Sequence, residues 1–281
     1  MNSIFPSKKI LGIASLVLIL ILSFFFRNTV SKWLTFNDSA SPPIADNTHG
    51  TEPSVFPSPE ESTKSAHTPL PTIVPPAKKT IVYTGRDPME VRPNLEDVKL
   101  FSDEQKKNLY AAIGNHGQAV KDNPDYFDGW LEIGLLKKVI GDYEGARDAW
   151  EYAGAIRLLS SVPFANLGEL YWHYLHMYAQ SEKNFKIAIK NDPKDIGSYR
   201  SFSDLYYYSM KEKQSLADDV LLEGIAANPQ SGDLFKALGR LYEHLGQYAS
   251  AMEWWEKALA QDPQSVEIAS TIEALKKKVG Q

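Results

Sequence analysis

Residues 233–263 read DLFKALGRLYEHLGQYASAMEWWEKALAQDP and decide the fold. Large apolar residues recur there at steps of three, four and seven, which predicts two amphipathic helices. The helices should separate near Gly246, and the final proline should end the second one. Small residues at Gly239, Ala251 and Ala258 allow the two helices to approach closely. One helix pair cannot bury both of its apolar faces, so stacked copies are expected.

This spacing resembles the tetratricopeptide repeat at all ten signature positions. The matching residues are Phe235, Leu238, Gly239, Tyr242, Gly246, Tyr248, Ala251, Trp255, Ala258 and Pro263. The resemblance implies an all-α, right-handed superhelical solenoid. It also implies a concave groove, lined by the first helix of each repeat, that holds extended peptides or partner helices.

Weaker copies precede this repeat in a consistent register. The four repeats are expected at about 127–160, 161–195, 196–231 and 232–265. Extra residues should fall in turns near His176 to Ser181 in the second repeat and near Lys211 to Ser215 in the third.

Repeat one departs from the pattern at two positions. Leu158 replaces the closing proline, and Lys137 stands where a large aromatic or apolar residue is usual.

Partial elements flank the four repeats, so the repeat domain is predicted over residues 95–281. Ser102 and Gln105 form a plausible capping box at the start of a degenerate half repeat. A capping helix is expected over 266–281. Its apolar positions are Val266, Ile268, Ile272 and Leu275, and three lysines crowd its last turn.

The beginning of the chain predicts a membrane anchor. A short tail, residues 1–9, precedes an uncharged apolar run from Ile10 to Phe26. As a helix this run would be roughly 25 Å long, slightly less than a hydrocarbon core of about 30 Å. A cleaved signal peptide is the alternative, but the run is long for one and no small-x-small site follows promptly. The short tail favours a single-pass topology with the repeat domain on the non-cytoplasmic side.

Residues 27–94 are rich in proline, serine and threonine and predict a disordered linker. A plain spacer is the simplest interpretation, and a partner motif at Val74-Pro75-Pro76 is the alternative. Residues Thr80 to Thr84 could form a short strand or dock in an extended form. The segment Thr80 to Pro93 could also occupy the groove of its own domain.

Mapping the repeat register onto the chain gives a set of groove residues that would contact a partner. They are Leu131, Lys138, Asn166, Trp172, His173, Arg200, Tyr207, Tyr208, Lys236 and Arg240. Further groove-facing positions are Asp128, Glu132, Leu135, Glu169, Asp204 and Glu243. Aromatic faces offer apolar area, and amide and guanidinium groups can bond a peptide. The alternative for Trp172 and Tyr207 is packing between repeats.

Several function classes are disfavoured. A net charge of −5 gives no polyanion-binding signature, so we expect no nucleic acid partner. The chain has no cysteine and no recognisable nucleotide-binding or nucleophile motif, so we expect neither enzymatic activity nor a cofactor. His173 and His176 could share a helix face as metal ligands, but Glu169 is the only carboxylate within helical reach.

The sequence therefore predicts a membrane-tethered scaffold or adaptor that binds protein partners. A chaperone-like holdase for extended clients is the alternative. Self-association through exposed repeat edges is a third hypothesis.

Overall fold

The computed structural model describes residues 81–280, so the predicted anchor and most of the predicted linker lie outside the described residues. In that range the chain forms eleven α-helices and no β-strand. They are α1 (Leu95–Val98), α2 (Asp103–Asp122), α3 (Phe127–Val139), α4 (Tyr143–Ile156), α5 (Val162–His173), α6 (Tyr178–Asn191), α7 (Ile196–Asp204), α8 (Ala217–Ala227), α9 (Gly232–His244), α10 (Tyr248–Gln261) and α11 (Val266–Val279). Within 81–280 no helix combines the length and the apolar content needed to cross a membrane.

The helices form a repeat solenoid of the predicted type. Four pairs, α3/α4, α5/α6, α7/α8 and α9/α10, follow the half repeat α2 and precede the capping helix α11. The predicted fold class is therefore confirmed. Ser102 and Gln105 form the predicted capping box at the start of α2. In α11 three of the four predicted apolar residues are buried. Val266 is exposed because helical spacing places it on the opposite face from Ile268 and Leu275.

In three of the four helix pairs, a glycine on the first helix admits a large ring from the second helix. A β-carbon added at Gly168 would lie 2.6 Å from the ring of Phe185, and one at Gly239 would lie 2.9 Å from the indole of Trp255. In the third pair the arrangement is reversed, and Tyr199 on the first helix packs on Gly224 of the second. These close approaches fix the spacing of each helix pair.

The turns inside the repeats show where residues have been added. Gly141 and Gly246 have φ values of 77° and 73°, a left-handed conformation that glycine adopts without steric cost. In the second repeat the left-handed residue is His176, at φ 53°, within the predicted insertion. In the third repeat a π-helical turn, Leu205–Ser209, and a 3₁₀ helix, Lys211–Leu216, accommodate the extra residues.

The segment 81–94, here called the N-terminal strap, packs against α2, α3 and α4 without helical structure. The Tyr83 ring lies 4.4 Å from that of Trp130 and 5.3 Å from that of Tyr152. The Tyr152 hydroxyl donates a 3.2 Å hydrogen bond to the carbonyl of Ile81. Of the two predicted conformations for this region, strand or docked extended segment, the structure shows docking.

Ionic contacts hold the middle of the strap. Arg86 pairs with Asp142 at 3.1 Å, and its backbone amide donates to Asp148 at 3.1 Å. Lys137 is buried, pairs with Asp142 at 3.1 Å and donates to the carbonyl of Glu90 at 2.6 Å. The unusual lysine of repeat one is therefore a strap contact.

The strap corrects two predictions. The linker was predicted to extend to residue 94, but residues 81–94 belong to the folded unit because aromatic and ionic contacts on α3 and α4 offset the cost of ordering them. The strap also contacts Trp130, Lys137 and the second helix α4, none of which is a predicted groove residue. Residues 81–93 therefore do not occupy the predicted groove.

Candidate binding surface

The first helices α5, α7 and α9 lie side by side, with contacts from α5 to α7 and from α7 to α9. Residues four apart on a helix share one face. The surface formed by these helices, here called the first-helix surface, therefore carries three short stripes. They are Glu169 and His173 on α5, Arg200, Asp204 and Tyr208 on α7 and the turn that follows it, and Lys236, Arg240 and His244 on α9.

Rings from the third and fourth repeats meet at one end of this surface. Tyr207 and Tyr208 lie 4.8 Å apart in an edge-to-face arrangement. His244 lies 5.8 Å from Tyr207 and 6.4 Å from Tyr208. On α5, the rings of Trp172 and His173 lie 3.9 Å apart.

The predicted aromatic residues differ in how available they are. Trp172 and Tyr207 are half-buried against the core cluster of the third repeat. The Trp172 indole N–H donates to the Ser209 hydroxyl at 2.8 Å, which occupies its only donor. Packing between repeats, the alternative considered for both residues, therefore describes them well. Tyr208 instead exposes 53% of its surface.

The polar residues of α5 and α7 keep bonding capacity. Within residues 81–280 the side chains of Asn166, Arg200 and Asp204 make no hydrogen bond or ion pair at bonding distance. His173 contacts Glu169 at 3.2 Å. Asn166 and Arg200 can therefore offer donors, and Asp204 an acceptor, to a bound molecule.

Asp204 shows that the surface is partly enclosed. Its pKa is raised by partial burial, an effect that Glu169 reinforces and that Arg200, His244 and His173 oppose. The side chain nevertheless remains exposed to solvent. Asp204 thus has protein on several sides and remains open to solvent on another. This combination is expected on a concave surface.

The cations of α9 already have partners. Lys236 pairs with Asp233 at 2.6 Å, and Arg240 lies 3.8 Å from Glu267 of α11 and over the Trp255 ring at 5.7 Å. The hydrogen bond from Lys236 lowers the pKa of Asp233, and the nearby charge of Arg200 acts in the same direction. Both α9 cations are thus less available than Arg200.

The predicted residues of α3 contribute differently. Leu131 is half-buried and packs into the cores on both sides of α3. The Lys138 ammonium lies 5.3 Å from the ring centroid of Tyr174, and burial lowers its pKa while Glu169 opposes that change. The open part of the predicted site is therefore centred on α5 and α7.

Comparison with known proteins agrees with the repeat register. Residues 232–265 match the family model described as tetratricopeptide repeat. No curated protein sequence matches the chain significantly.

Solved structures with the same type of fold are similar to this chain at low identity. A crystal structure of MamA shares 19% identity over 62% of this chain and 98% of that one, with a TM-score of 0.48. PilW, described as a widely conserved type IV pilus biogenesis factor, shares 22% identity over 63% and 81%, with a TM-score of 0.46. YrrB, described as a tetratricopeptide protein with an unusual peptide-binding site, shares 14% over 57% and 81%, with a TM-score of 0.43.

The tetratricopeptide register could have found one residue that sequence reasoning left out. His244 follows Arg240 by four positions and occupies the same place in its repeat as His173 and Tyr208. The structure places it beside Tyr207 and Tyr208. Within residues 81–280 no group of three His, Asp or Glu side chains could hold a metal ion.

Proposed function

We propose that this protein is a non-enzymatic interaction scaffold, tethered to a membrane, that binds protein partners on its concave first-helix surface. The bound element would be an extended segment or a helix, because the surface is an open row of helices rather than an enclosed pocket. The single observation that carries the proposal is the arrangement around α7. There the exposed ring of Tyr208 lies near Asp204, and Asp204 lies near Arg200. Neither charged side chain has a bonding partner within the described range.

The chemistry of this surface suits partner binding. Tyr and Arg are the residues that most often dominate binding energy at interfaces, since they combine apolar area with directional bonds. The unpaired side chains of Arg200 and Asn166 contribute no hydrogen bond to the stability of the fold. A bound partner can accept hydrogen bonds from both. Trp172 and Tyr207 support the surface from below by packing into the core.

The tether is proposed from the amino-acid sequence. The run Ile10 to Phe26 would span the bilayer once, and residues 27–80 would link it to the repeats on the non-cytoplasmic side. Extraction of membranes at alkaline pH tests the anchor, since a spanning protein stays in the pellet. Release into the supernatant would contradict it.

Site-specific photocrosslinking tests the binding surface. A photoreactive amino acid replaces Tyr208 in the full-length protein, and the matched control replaces Lys183, an exposed residue on the second helix α6. We expect one dominant crosslinked partner from position 208 and little from position 183. Equal capture from both positions would reject the surface. Crosslinking of many unrelated proteins from position 208 alone would favour a holdase over a scaffold.

A further inference from the structure

We propose that the first-helix surface receives a basic side chain of its partner, a lysine or arginine, between the Asp204 carboxylate and the exposed ring of Tyr208. The proposal rests on the proposed function, because it specifies the chemistry of the ligand at the same surface. It assigns a specificity role to two exposed residues.

Asp204 accepts no hydrogen bond from the described part of the chain. A carboxylate accepts hydrogen bonds only, and partial enclosure removes some of the water that would otherwise donate to it. The charged and titratable groups facing it are Arg200 on its own helix, Glu169 and His173 on α5, and His244 on α9. Arg200 only partly offsets the enclosure, since the pKa of Asp204 remains raised.

Tyr208 supplies the second wall of the site. It follows Asp204 by four residues, so the ring and the carboxylate lie on the same side of α7 and its π turn. The ring faces of tyrosine attract ammonium and guanidinium groups. A cation–π contact of this kind occurs beside the site, where the Lys211 ammonium lies 5.9 Å from the centroid of the adjacent Tyr207 ring.

A basic ligand fits this surface better than an acidic one. An anion approaching Tyr208 would meet Asp204 one helical turn away, whereas Arg200 lies two turns away and the cations of α9 are engaged with Asp233 and Glu267. A long basic side chain also buries its aliphatic stem along apolar surface while its charge reaches a carboxylate. Arg200 then remains free to bond a carbonyl or carboxylate elsewhere on the partner.

Peptide selection tests the ligand chemistry without a known partner. A library of random twelve-residue peptides is displayed and selected on the wild-type chain, on Asp204→Asn and on Glu253→Gln, which alters an exposed carboxylate on α10. We expect lysine or arginine to be enriched at one position on the wild type and on Glu253→Gln, but not on Asp204→Asn. Representative peptides should bind Asp204→Asn about tenfold more weakly or worse, since a hydrogen bond between two charged groups is lost. Asp204→Glu, which keeps the charge, should retain the preference.

The outcomes separate the two proposals. Peptides that bind the first-helix surface without a basic preference, or with one that survives Asp204→Asn, would overturn the assignment of the ligand and leave the surface in place. Enrichment of acidic residues would assign the site to Arg200 and also overturn it. If no peptide is enriched on any of the proteins, the proposed function and this inference both fail.

Discussion

At the scale of single residues, Lys137 shows how one position can redirect local structure. It occupies a place where tetratricopeptide repeats usually have a large ring or apolar side chain, and it is 2% exposed. A buried ammonium is tolerated only when it is paired and hydrogen-bonded. Asp142 and the Glu90 carbonyl meet that need, so the strap and this lysine depend on each other.

Replacing Lys137 by methionine should therefore destabilise the fold by about 3 kcal/mol, near the low end for breaking a buried pair because Arg86 still faces Asp142. Urea unfolding followed by circular dichroism measures this. Lys183→Met on the exposed face of α6 should change stability by less than about 0.5 kcal/mol. Equal effects from the two substitutions would show that the Lys137 pair is not buried in solution.

Glu182 gives a pH-dependent prediction. Burial opposes its ionisation, but hydrogen bonds from Lys186, Lys213 and the Tyr206 hydroxyl outweigh it and lower its pKa from 4.5 to about 2. A depressed pKa contributes stability that is full above 4.5 and is lost as the pH falls through about 2.

The variant Glu182→Gln should be less stable than wild type at pH 6, by roughly 2 kcal/mol. The difference should shrink below pH 4.5, and urea midpoints at pH 6, 4 and 2.5 measure it. A difference that stays constant over this range would mean that the carboxylate charge does not hold the 3₁₀ helix of repeat three.

At the scale of helices, the stacking depends on small residues opposite large rings. A β-carbon added at Gly134 would overlap the indole of Trp150. A β-carbon added at Gly114 in α2 would have no neighbouring atom within 4 Å. The two glycines therefore make opposite contributions. One permits close packing, and the other only weakens its helix.

We expect Gly134→Ala to destabilise the protein by about 1–3 kcal/mol through overpacking. Gly114→Ala should stabilise it by about 0.5–1 kcal/mol, because alanine favours helix more than glycine does. Thermal or urea unfolding of both variants tests the pair. Stabilisation by both would contradict the packing of Trp150 on Gly134.

The strap is the second element whose role can be measured. Tyr83→Ala should make the backbone amides of residues 81–94 exchange with deuterium about tenfold faster or more, since the strap loses the ring that packs on Trp130 and Tyr152. Amides of α9 to α11 should be unaffected. Val82→Ala, at a neighbouring residue that is 71% exposed, is the matched control. Similar acceleration by both variants would show that the Tyr83 ring does not anchor the strap.

The helix pairs could be predicted from the sequence, whereas the strap could not. Apolar residues at helical spacing and small residues at fixed positions predict each repeat, and both are local signals. The strap has no periodicity, and it follows directly on proline-rich sequence. Its order comes from contacts with residues about 40 to 70 positions later in the chain, such as Glu90 with Lys137 and Ile81 with Tyr152. Lys137 was the one residue that indicated the strap, because a charged side chain at a core position requires a hydrogen-bonding or ionic partner.

The candidate site could be predicted in register but not in detail. Repeat positions assigned Trp172, Tyr207 and Tyr208 to groove-facing places in their repeats. They could not show that Trp172 bonds Ser209, or that the π turn leaves Tyr208 as the open ring of the three. Those features come from the inserted residues of repeat three, where the family pattern gives no guidance.

At the scale of the whole molecule, the described domain has two unlike sides. The second helices α4, α6, α8 and α10 carry exposed charged residues, and the strap packs at the α4 end. The first-helix surface combines rings, an unpaired guanidinium and an unpaired carboxylate. On the proposed tether, this arrangement would hold one binding surface near a membrane and leave the opposite side for solvent.

Partner retention by two matched triple variants tests this account most directly. The first variant replaces three residues of the first-helix surface, Asn166→Ala, Arg200→Ala and Tyr208→Ala. The second replaces three exposed residues of second helices, Lys183→Ala, Glu223→Ala and Glu253→Ala. Both are expressed at full length and checked for helical content, and their affinity for the crosslinked partner is measured. We expect the first to bind at least about tenfold more weakly and the second to bind like wild type. Full binding by the first variant together with loss by the second would place the recognition surface on the opposite side and contradict the account.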